Sequence, residues 1–213
     1  MTALLRLAFA AAFATAGALP SPATADGTTA TLPVAAERIV TPMPEDWKEA
    51  YHAKDARQEV REFVPAGESV ENWSAMVTTK IFDGMNRSAK EYNTHTMERF
   101  ASLCSQSTKV VGETEERFGY PSSLAFIECV TSPATREKNK YVRKVEFLVQ
   151  VAIKGDEALY VAESAWHTDD LTGPRPTADA DLLNRIASRL DKVYVCDDRI
   201  EEKKCQVQLT KAR

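Results

Sequence analysis

Few residues of this chain could do acid–base or metal chemistry, and the most suggestive of them is His167, one of three histidines. Asp169 and Asp170 follow it closely in the segment Trp166-His-Thr-Asp-Asp170, where a predicted strand gives way to a loop. An imidazole beside carboxylates could bind a metal or relay a proton, and loops often carry such groups. Neighbours along a chain rarely converge on one ion without a ligand from elsewhere. The segment is therefore interpreted as a surface loop first and as a site second.

The sequence contains no motif of an established catalytic machinery. It has no GxSxG, no HExxH, no P-loop and no GxGxxG. His95 falls inside a predicted helix, where a place on the polar face explains it better than a role as general base. We therefore predict no catalytic residue, no bound metal and no cofactor.

Three tryptophans are the large aromatic candidates for contact with another molecule. Trp73 follows a predicted turn and is expected to close that turn against the core. Trp47 and Trp166, together with His167, are predicted to be possible partner-binding residues, because an exposed tryptophan is a frequent anchor of protein interfaces.

The four cysteines are expected to form two disulfides, because an even count in an exported chain is typical of crosslinks. No CxxC pair is present, which argues against a thioredoxin-like redox motif. Cys104 ends a predicted helix on its apolar side and Cys129 lies in a predicted inner strand, so we pair these two. The second predicted bridge joins Cys196 to Cys205 and would hold the tail. Buried thiols are the alternative for the first pair.

The first 25 residues have the features of a secretory signal peptide. An apolar run from Leu7 to Leu19 is followed by Ala23-Thr-Ala25, a signal for cleavage before Asp26. We expect a flexible leader over residues 26–37 and a single domain over 38–213, in the periplasm or secreted. No later window is apolar enough to span a membrane. The net charge of −4 gives no general attraction to nucleic acid.

The remaining pattern predicts an antiparallel sheet with two long amphipathic helices. The first helix should run from about Ala89 to Cys104 behind a Ser88–Glu91 capping box, and the second from about Asp179 to Val193. A short helical turn is expected from Ser69 to Trp73. The predicted strands are 38–40, 47–54, 59–64, 76–82, 109–118, 124–131, 141–153, 159–166 and a weak last strand at 205–209. A short helix is the alternative for 47–54.

This order predicts an α+β fold in which the helices pack on the sheet as an α/β/α sandwich. It resembles the PsbP-like and DcrB-like family of exported proteins, through the Glu62-Phe-Val-Pro-Ala-Gly67 unit, the Glu71-Asn-Trp73 turn and the two helices that begin near Ser88 and Asp179. The resemblance implies binding or assembly rather than catalysis. The cysteines, and the lack of the lipid-attachment cysteine of DcrB-like lipoproteins, depart from it.

Two functions follow from these features. The first is an exported, non-catalytic binding or assembly protein of a bacterial-type cell envelope, whose partner is another envelope protein or a small ligand. The alternative is a small periplasmic hydrolase or metal-dependent enzyme that uses His167 with Asp169 or Asp170.

Overall fold

The structure is a computed structural model and describes residues 37–138, 143–168 and 188–205. Strands account for most of the described chain: β1 Arg38–Val40, β2 Trp47–Lys54, β3 Gln58–Pro65, β4 Ala75–Asp83, β5 Cys104–Val111, β6 Glu115–Arg117, β7 Tyr120–Thr131, β8 Val145–Lys154, β9 Ala158–Thr168 and β10 Tyr194–Cys196. The helical elements are α1 Ala89–Ala101, α2 Pro133–Lys138 and a 3-10 turn Glu201–Lys203.

Eight of the strands form one antiparallel sheet, and the first and last strands form a small one of their own. The order across the large sheet is β2-β3-β4-β9-β8-β7-β5, with β6 also pairing with β7. β1 pairs with β10, so the start of the domain is joined to its end. The predicted antiparallel sheet is therefore confirmed.

The two faces of the sheet follow from alternation along β8. Its odd-numbered residues from Val145 to Ile153 join the largest apolar cluster, which also takes in Leu190, Val193 and Val195 from the C-terminal segment. We call this side the C-terminal face. The even-numbered Leu148 and Ala152 lie on the opposite side, in clusters that contain α1 residues, and we call that side the α1 face. Burial on both sides explains why β8 is apolar almost throughout.

Helix α1 begins as the sequence predicts. Ser88 Oγ accepts a hydrogen bond from the Glu91 backbone N–H at 3.2 Å, and the Ser88 N–H donates to the Glu91 carboxylate at 2.9 Å. The helix ends at Ala101 rather than at the predicted Cys104. Cys104 lies opposite Thr131 in the ladder between β5 and β7, so it has already left the helix to join the sheet.

Several other predicted elements are corrected. Within the described residues α1 is the one long helix, and the second predicted helix, 179–193, falls mostly outside them. Of the predicted helix, residues 188–190 are helical and residues 191–192 form a turn. The predicted strand 109–118 is two strands, β5 and β6. The expected helical turn after Ser69 is an antiparallel bridge between Ser69 and Asn72.

The ends of the domain also differ from expectation. β1 lies where an edge strand was predicted, but its partner β10 was not predicted. The weak last strand, 205–209, lies outside the described residues after Cys205. Across the described ranges, no helix has both the length and the apolar character needed to cross a membrane.

Both predicted disulfides are present. Cys104 and Cys129 are joined with their Cα atoms 5.4 Å apart, and Cys196 and Cys205 are joined at 4.9 Å. The first bridge ties β5, just after α1, to the inner strand β7. The second closes the short loop that follows β10, as the sequence indicates.

Glu37, the first residue that the structure describes, has a buried carboxylate. Glu37 is 8% exposed and accepts hydrogen bonds from the backbone N–H groups of Asp156 and Glu157 and from the Tyr160 hydroxyl, at 2.7, 3.1 and 3.3 Å. A Cβ atom on Gly155 would lie 2.4 Å from Glu37 Oε2, so this approach requires glycine. The turn between β8 and β9 therefore holds the Glu37 side chain in place.

Candidate functional site

His167 lies near the end of β9, on the α1 face of the sheet. It stands directly opposite Glu146 of β8 in the antiparallel register, which places the two Cβ atoms roughly 5 Å apart. The imidazole ring stacks on the Trp73 indole, with ring centroids 3.9 Å apart and planes inclined by 27°. We call Trp73, Glu146 and His167 the His167 end of the sheet. It brings together residues from two strands and from the connection between β3 and β4.

The Glu146 carboxyl is tuned to change its charge near neutral pH. Burial raises its pKa from the ordinary 4.5 to about 7, and a hydrogen bond with the Arg143 backbone offsets part of that effect. A carboxyl that titrates beside an aromatic–imidazole stack gives the His167 end a charge that depends on pH.

Contacts on either side hold the His167 end in place. Arg143 Nη2 donates to Asn72 Oδ1 at 3.2 Å, which links the start of β8 to the residue before Trp73. The His167 backbone N–H donates to the Ser74 carbonyl at 3.2 Å. On the far side of Glu146 its ladder partner is Cys129, fixed by the disulfide to Cys104.

The predicted partner-binding residues occupy different environments. Trp166 is 8% exposed and stacks on Phe147 in the core, with centroids 4.9 Å apart. It faces the C-terminal side from β9, and its contact with a partner stays a prediction that this burial does not favour. Trp47 is half-buried at the start of β2, with the Arg189 guanidinium 5.4 Å from its ring centroid.

The metal-binding hypothesis lacks two of its residues here, because Asp169 and Asp170 lie outside the described residues. Within the described part of the chain, no three His, Cys, Asp or Glu side chains are grouped so that they could hold a metal. His95 is exposed on α1. His52 is exposed on β2, where its Nε2 lies 3.1 Å from Glu59 in a surface ion cluster.

A row of polar residues on the α1 face was not predicted from the sequence. Glu62, Thr78, Glu163 and Gln150 stand opposite one another across β3, β4, β9 and β8. Thr78, Glu163 and Gln150 are buried. A buried row of this kind needs internal partners, because an unpaired charge or amide in the core is costly.

An ion pair and an amide pair supply most of those partners. Lys80 Nζ lies 2.6 Å from Glu163 Oε1. Burial disfavours the charged ammonium of Lys80, but the attraction of the Glu163 carboxylate outweighs this effect. The pKa of Lys80 is therefore raised. Burial also raises the pKa of the neighbouring Glu62 carboxyl.

The amide pair connects α1 to the sheet. Gln150 Nε2 donates to Asn93 Oδ1 at 2.5 Å, and Asn93 Nδ2 donates to the Ser123 carbonyl at 2.8 Å. Both amide side chains are fully buried. These directional bonds fix how the helix sits over β7 and β8, which apolar packing alone does less strictly.

A signal for this row was present in the sequence. Glu62, Lys80 and Glu163 each interrupt an apolar alternation in the middle of a predicted strand. Charged residues at such positions are rare unless they are paired. The register that pairs Lys80 with Glu163 joins residues 83 positions apart, however, and that juxtaposition needs the fold.

Comparison with solved structures shows a likeness of fold. The chain is similar to the solution structure of cyanobacterial PsbP from Synechocystis sp. PCC 6803, with 10% sequence identity and a TM-score of 0.43, over 79% of this chain and 98% of that one. The resemblance predicted from the sequence was to the same family. At this identity and TM-score the likeness extends to no activity, ligand or partner. No family model and no curated protein matches the chain.

Proposed function

We propose that this chain is an exported, non-catalytic binding or assembly protein of the cell envelope, and that it contacts its partner through the His167 end. The observation that carries the proposal is the half-buried Trp73 ring stacked on His167 at one end of the inner strands β8 and β9. Tryptophan in a rigid, partly exposed setting is the side chain most often found at the centre of protein interfaces.

Export is supported by the crosslinks together with the N-terminal sequence. Disulfides persist in oxidising compartments and are rare in the cytosol. Both pairs, Cys104–Cys129 and Cys196–Cys205, join residues whose positions the fold already brings together. The apolar run and the Ala23-Thr-Ala25 site supply the means of export.

Rigidity of the His167 end supports a binding role. The Trp73 indole is held by the stack, by the Asn72–Arg143 hydrogen bond beside it and by the backbone bond from His167 to Ser74. A side chain that is already ordered loses little conformational entropy on binding. The expected partner is another envelope protein or a small ligand.

A photo-crosslinking experiment tests this role in the producing cell. A photoreactive residue replaces exposed Asn72, next to Trp73, or exposed Ala56, in the turn at the opposite end of β2 and β3. We expect an adduct of the mature protein from position 72 and none from position 56. Trp73→Ala should weaken the binding by about 2 kcal/mol, roughly a 30-fold loss of affinity.

Two results would contradict the role of the His167 end: no adduct from position 72 in either the protein or the small-molecule mass range, or an adduct that Trp73→Ala leaves unchanged. The mass of the adduct distinguishes an envelope protein from a small ligand. Circular dichroism of the variant shows whether the fold is retained.

The enzyme alternative makes a separate prediction. A metal-dependent hydrolase that uses His167 would retain about one equivalent of metal after purification and lose it in His167→Ala. Elemental analysis of the two proteins measures this directly. We expect no equivalent to be retained, and a retained equivalent that His167→Ala removes would favour the enzyme.

A further inference from the structure

The two edges of the large sheet are protected to different degrees. β2, at one edge, has an irregularity between Glu49 and Tyr51 and carries charged side chains at Lys48, Glu49 and Lys54. Bulges and charges of this kind discourage pairing with another chain. Within the described residues, β5 at the other edge pairs only with β7.

β5 also has an irregularity, between Cys104 and Gln106, but it is less protected beyond that point. Its register with β7 runs without interruption from Gln106 to Val111, and its one charged residue is Lys109. Residues 105–110 are all exposed. A regular, exposed edge strand offers unpaired N–H and C=O groups to a further strand.

An apolar patch lies beside this edge. Val110 and Leu124 are 60% and 44% exposed, and they are the large hydrophobic side chains exposed among the described residues. Val110 stands opposite Phe126, and Leu124 is two residues from Phe126 on β7, so the three side chains share one face. Both exposed apolar side chains of the described chain therefore lie at the unprotected edge.

The ladder pattern fixes which backbone groups point outward. The Gly112 N–H donates to the Leu124 carbonyl at 2.7 Å, which places Gly112, and with it Val110, among the residues bonded to β7. Hydrogen-bonded positions alternate along an antiparallel strand. The outward N–H and C=O groups are therefore those of Ser107, Lys109 and Val111.

We propose that β5 pairs with β5 of a second copy of this chain, antiparallel and with the two-fold axis at Val110. In this register the backbone of Lys109 exchanges hydrogen bonds with the backbone of Val111 in the second copy, and the reverse pair does the same. The outward N–H and C=O groups therefore make these bonds. Val110 then faces its own counterpart at a non-hydrogen-bonded position, where side chains approach most closely.

The side chains favour this register. It builds one apolar row from Phe126 and Val110 of each copy. Lys109 faces Val111 of the second copy, whereas an axis at Lys109 would set two like charges opposite each other, which is unfavourable.

The association should be weak, because a single strand pair buries less than the roughly 1,200 Å² of a stable interface. We expect a dissociation constant of about 10 µM to 1 mM. The inference does not depend on the proposed contact at the His167 end, since Val110 faces the C-terminal side on the edge strand β5, whereas Glu146 and His167 lie on the α1 face of the inner strands β8 and β9.

Sedimentation of the mature protein with both disulfides formed measures the association. We expect a concentration-dependent dimer that Val110→Lys weakens roughly tenfold or more, because it places two like charges on the axis. His52→Lys adds a charge to an exposed position of the opposite edge and should leave the dimer unchanged. A monomer at millimolar concentration, or a dimer that His52→Lys disrupts as much as Val110→Lys, would overturn the proposal.

Crosslinking through an added cysteine tests the register. Two Val110→Cys side chains would meet with Cβ atoms roughly 5 Å apart, near the range of a disulfide. Thr108→Cys is the matched control, because its counterpart would be four residues away along the strand, about 13 Å. We expect Val110→Cys to dimerise roughly tenfold faster under mild oxidation. Equal rates, or crosslinking to a different protein instead, would contradict the pairing.

Discussion

At the scale of single residues, the raised pKa of Glu146 makes the stability of the folded protein depend on pH. The fold raises this pKa from 4.5 to about 7, chiefly through burial, so the folded state holds the proton more tightly than the unfolded state does. Between these two values the folded protein binds more protons, and its stability falls as the pH rises.

We therefore expect Glu146→Gln to stabilise the protein at pH 8 by about 2 kcal/mol and to change little at pH 4. Urea denaturation at the two pH values measures the difference. Glu45→Gln, at an exposed position, serves as the control and should have the same small effect at both. A Glu146→Gln variant whose advantage is the same at both pH values would contradict the prediction.

Removing one partner of the Lys80–Glu163 ion pair should lower the free energy of unfolding more than removing both charges. Lys80→Met leaves the Glu163 carboxylate buried without its cation and should destabilise the protein by about 3 kcal/mol or more. Adding Glu163→Gln should recover part of that loss, because the second change removes the buried charge.

A surface ion pair provides a matched comparison for the Lys80→Met variant. Lys90 and Glu113 also approach to 2.6 Å, but Glu113 is 84% exposed. Lys90→Met should cost less than about 1 kcal/mol. Equal costs for the two lysines in urea denaturation would show that burial does not set the strength of the inner pair.

At the scale of elements, α1 depends on its first turn. Ser88→Ala removes the hydroxyl that accepts the Glu91 N–H and should destabilise the protein by about 1 kcal/mol. Ser107→Ala on exposed β5 is a control of the same chemistry and should be close to neutral. Thermal unfolding of the two variants measures the difference, and equal shifts would mean that the cap does not contribute.

Local sequence predicted the elements whose secondary structure depends mainly on their own residues. The capping box gave the start of α1, and the alternation from Val145 to Ile153 gave β8 and the side it faces. Elements decided by distant partners were missed. α1 stops short of Cys104 because β7 pairs with that residue, and β10 is a strand only because β1 lies beside it.

The candidate site shows the same division. His167 could be singled out from its neighbours in the chain, but its stacking partner Trp73 belongs to a separate connection and was assigned to the core. Glu146 carried no signal, because its pKa comes from burial that only the assembled sheet provides. The alternation of β9 correctly indicates that Trp166 shares a side with Tyr160 and Ala162, but it did not show that this position is buried.

The two disulfides belong to the scale of the whole molecule. They close loops of 25 and 9 residues, for which chain entropy predicts contributions of about 3.5 and 2.6 kcal/mol. A Cys104→Ser/Cys129→Ser variant should therefore lose more stability than Cys196→Ser/Cys205→Ser. Urea denaturation without reductant tests the order, and the reverse order would contradict it.

Pairing of β1 with β10 has a consequence for how the chain folds as it is made. Arg38 and Cys196 are 158 residues apart, so the first strand must wait for nearly the whole chain before its partner exists. Contacts this distant in sequence form late and slow the final step of folding. A chain that emerges N-terminus first, from a ribosome or a translocation pore, could complete its sheet from β2 to β9 while its opening strand is still unpaired. Closure of β1 onto β10 would then follow the formation of the large sheet, so the small sheet is the late-forming part of the described fold.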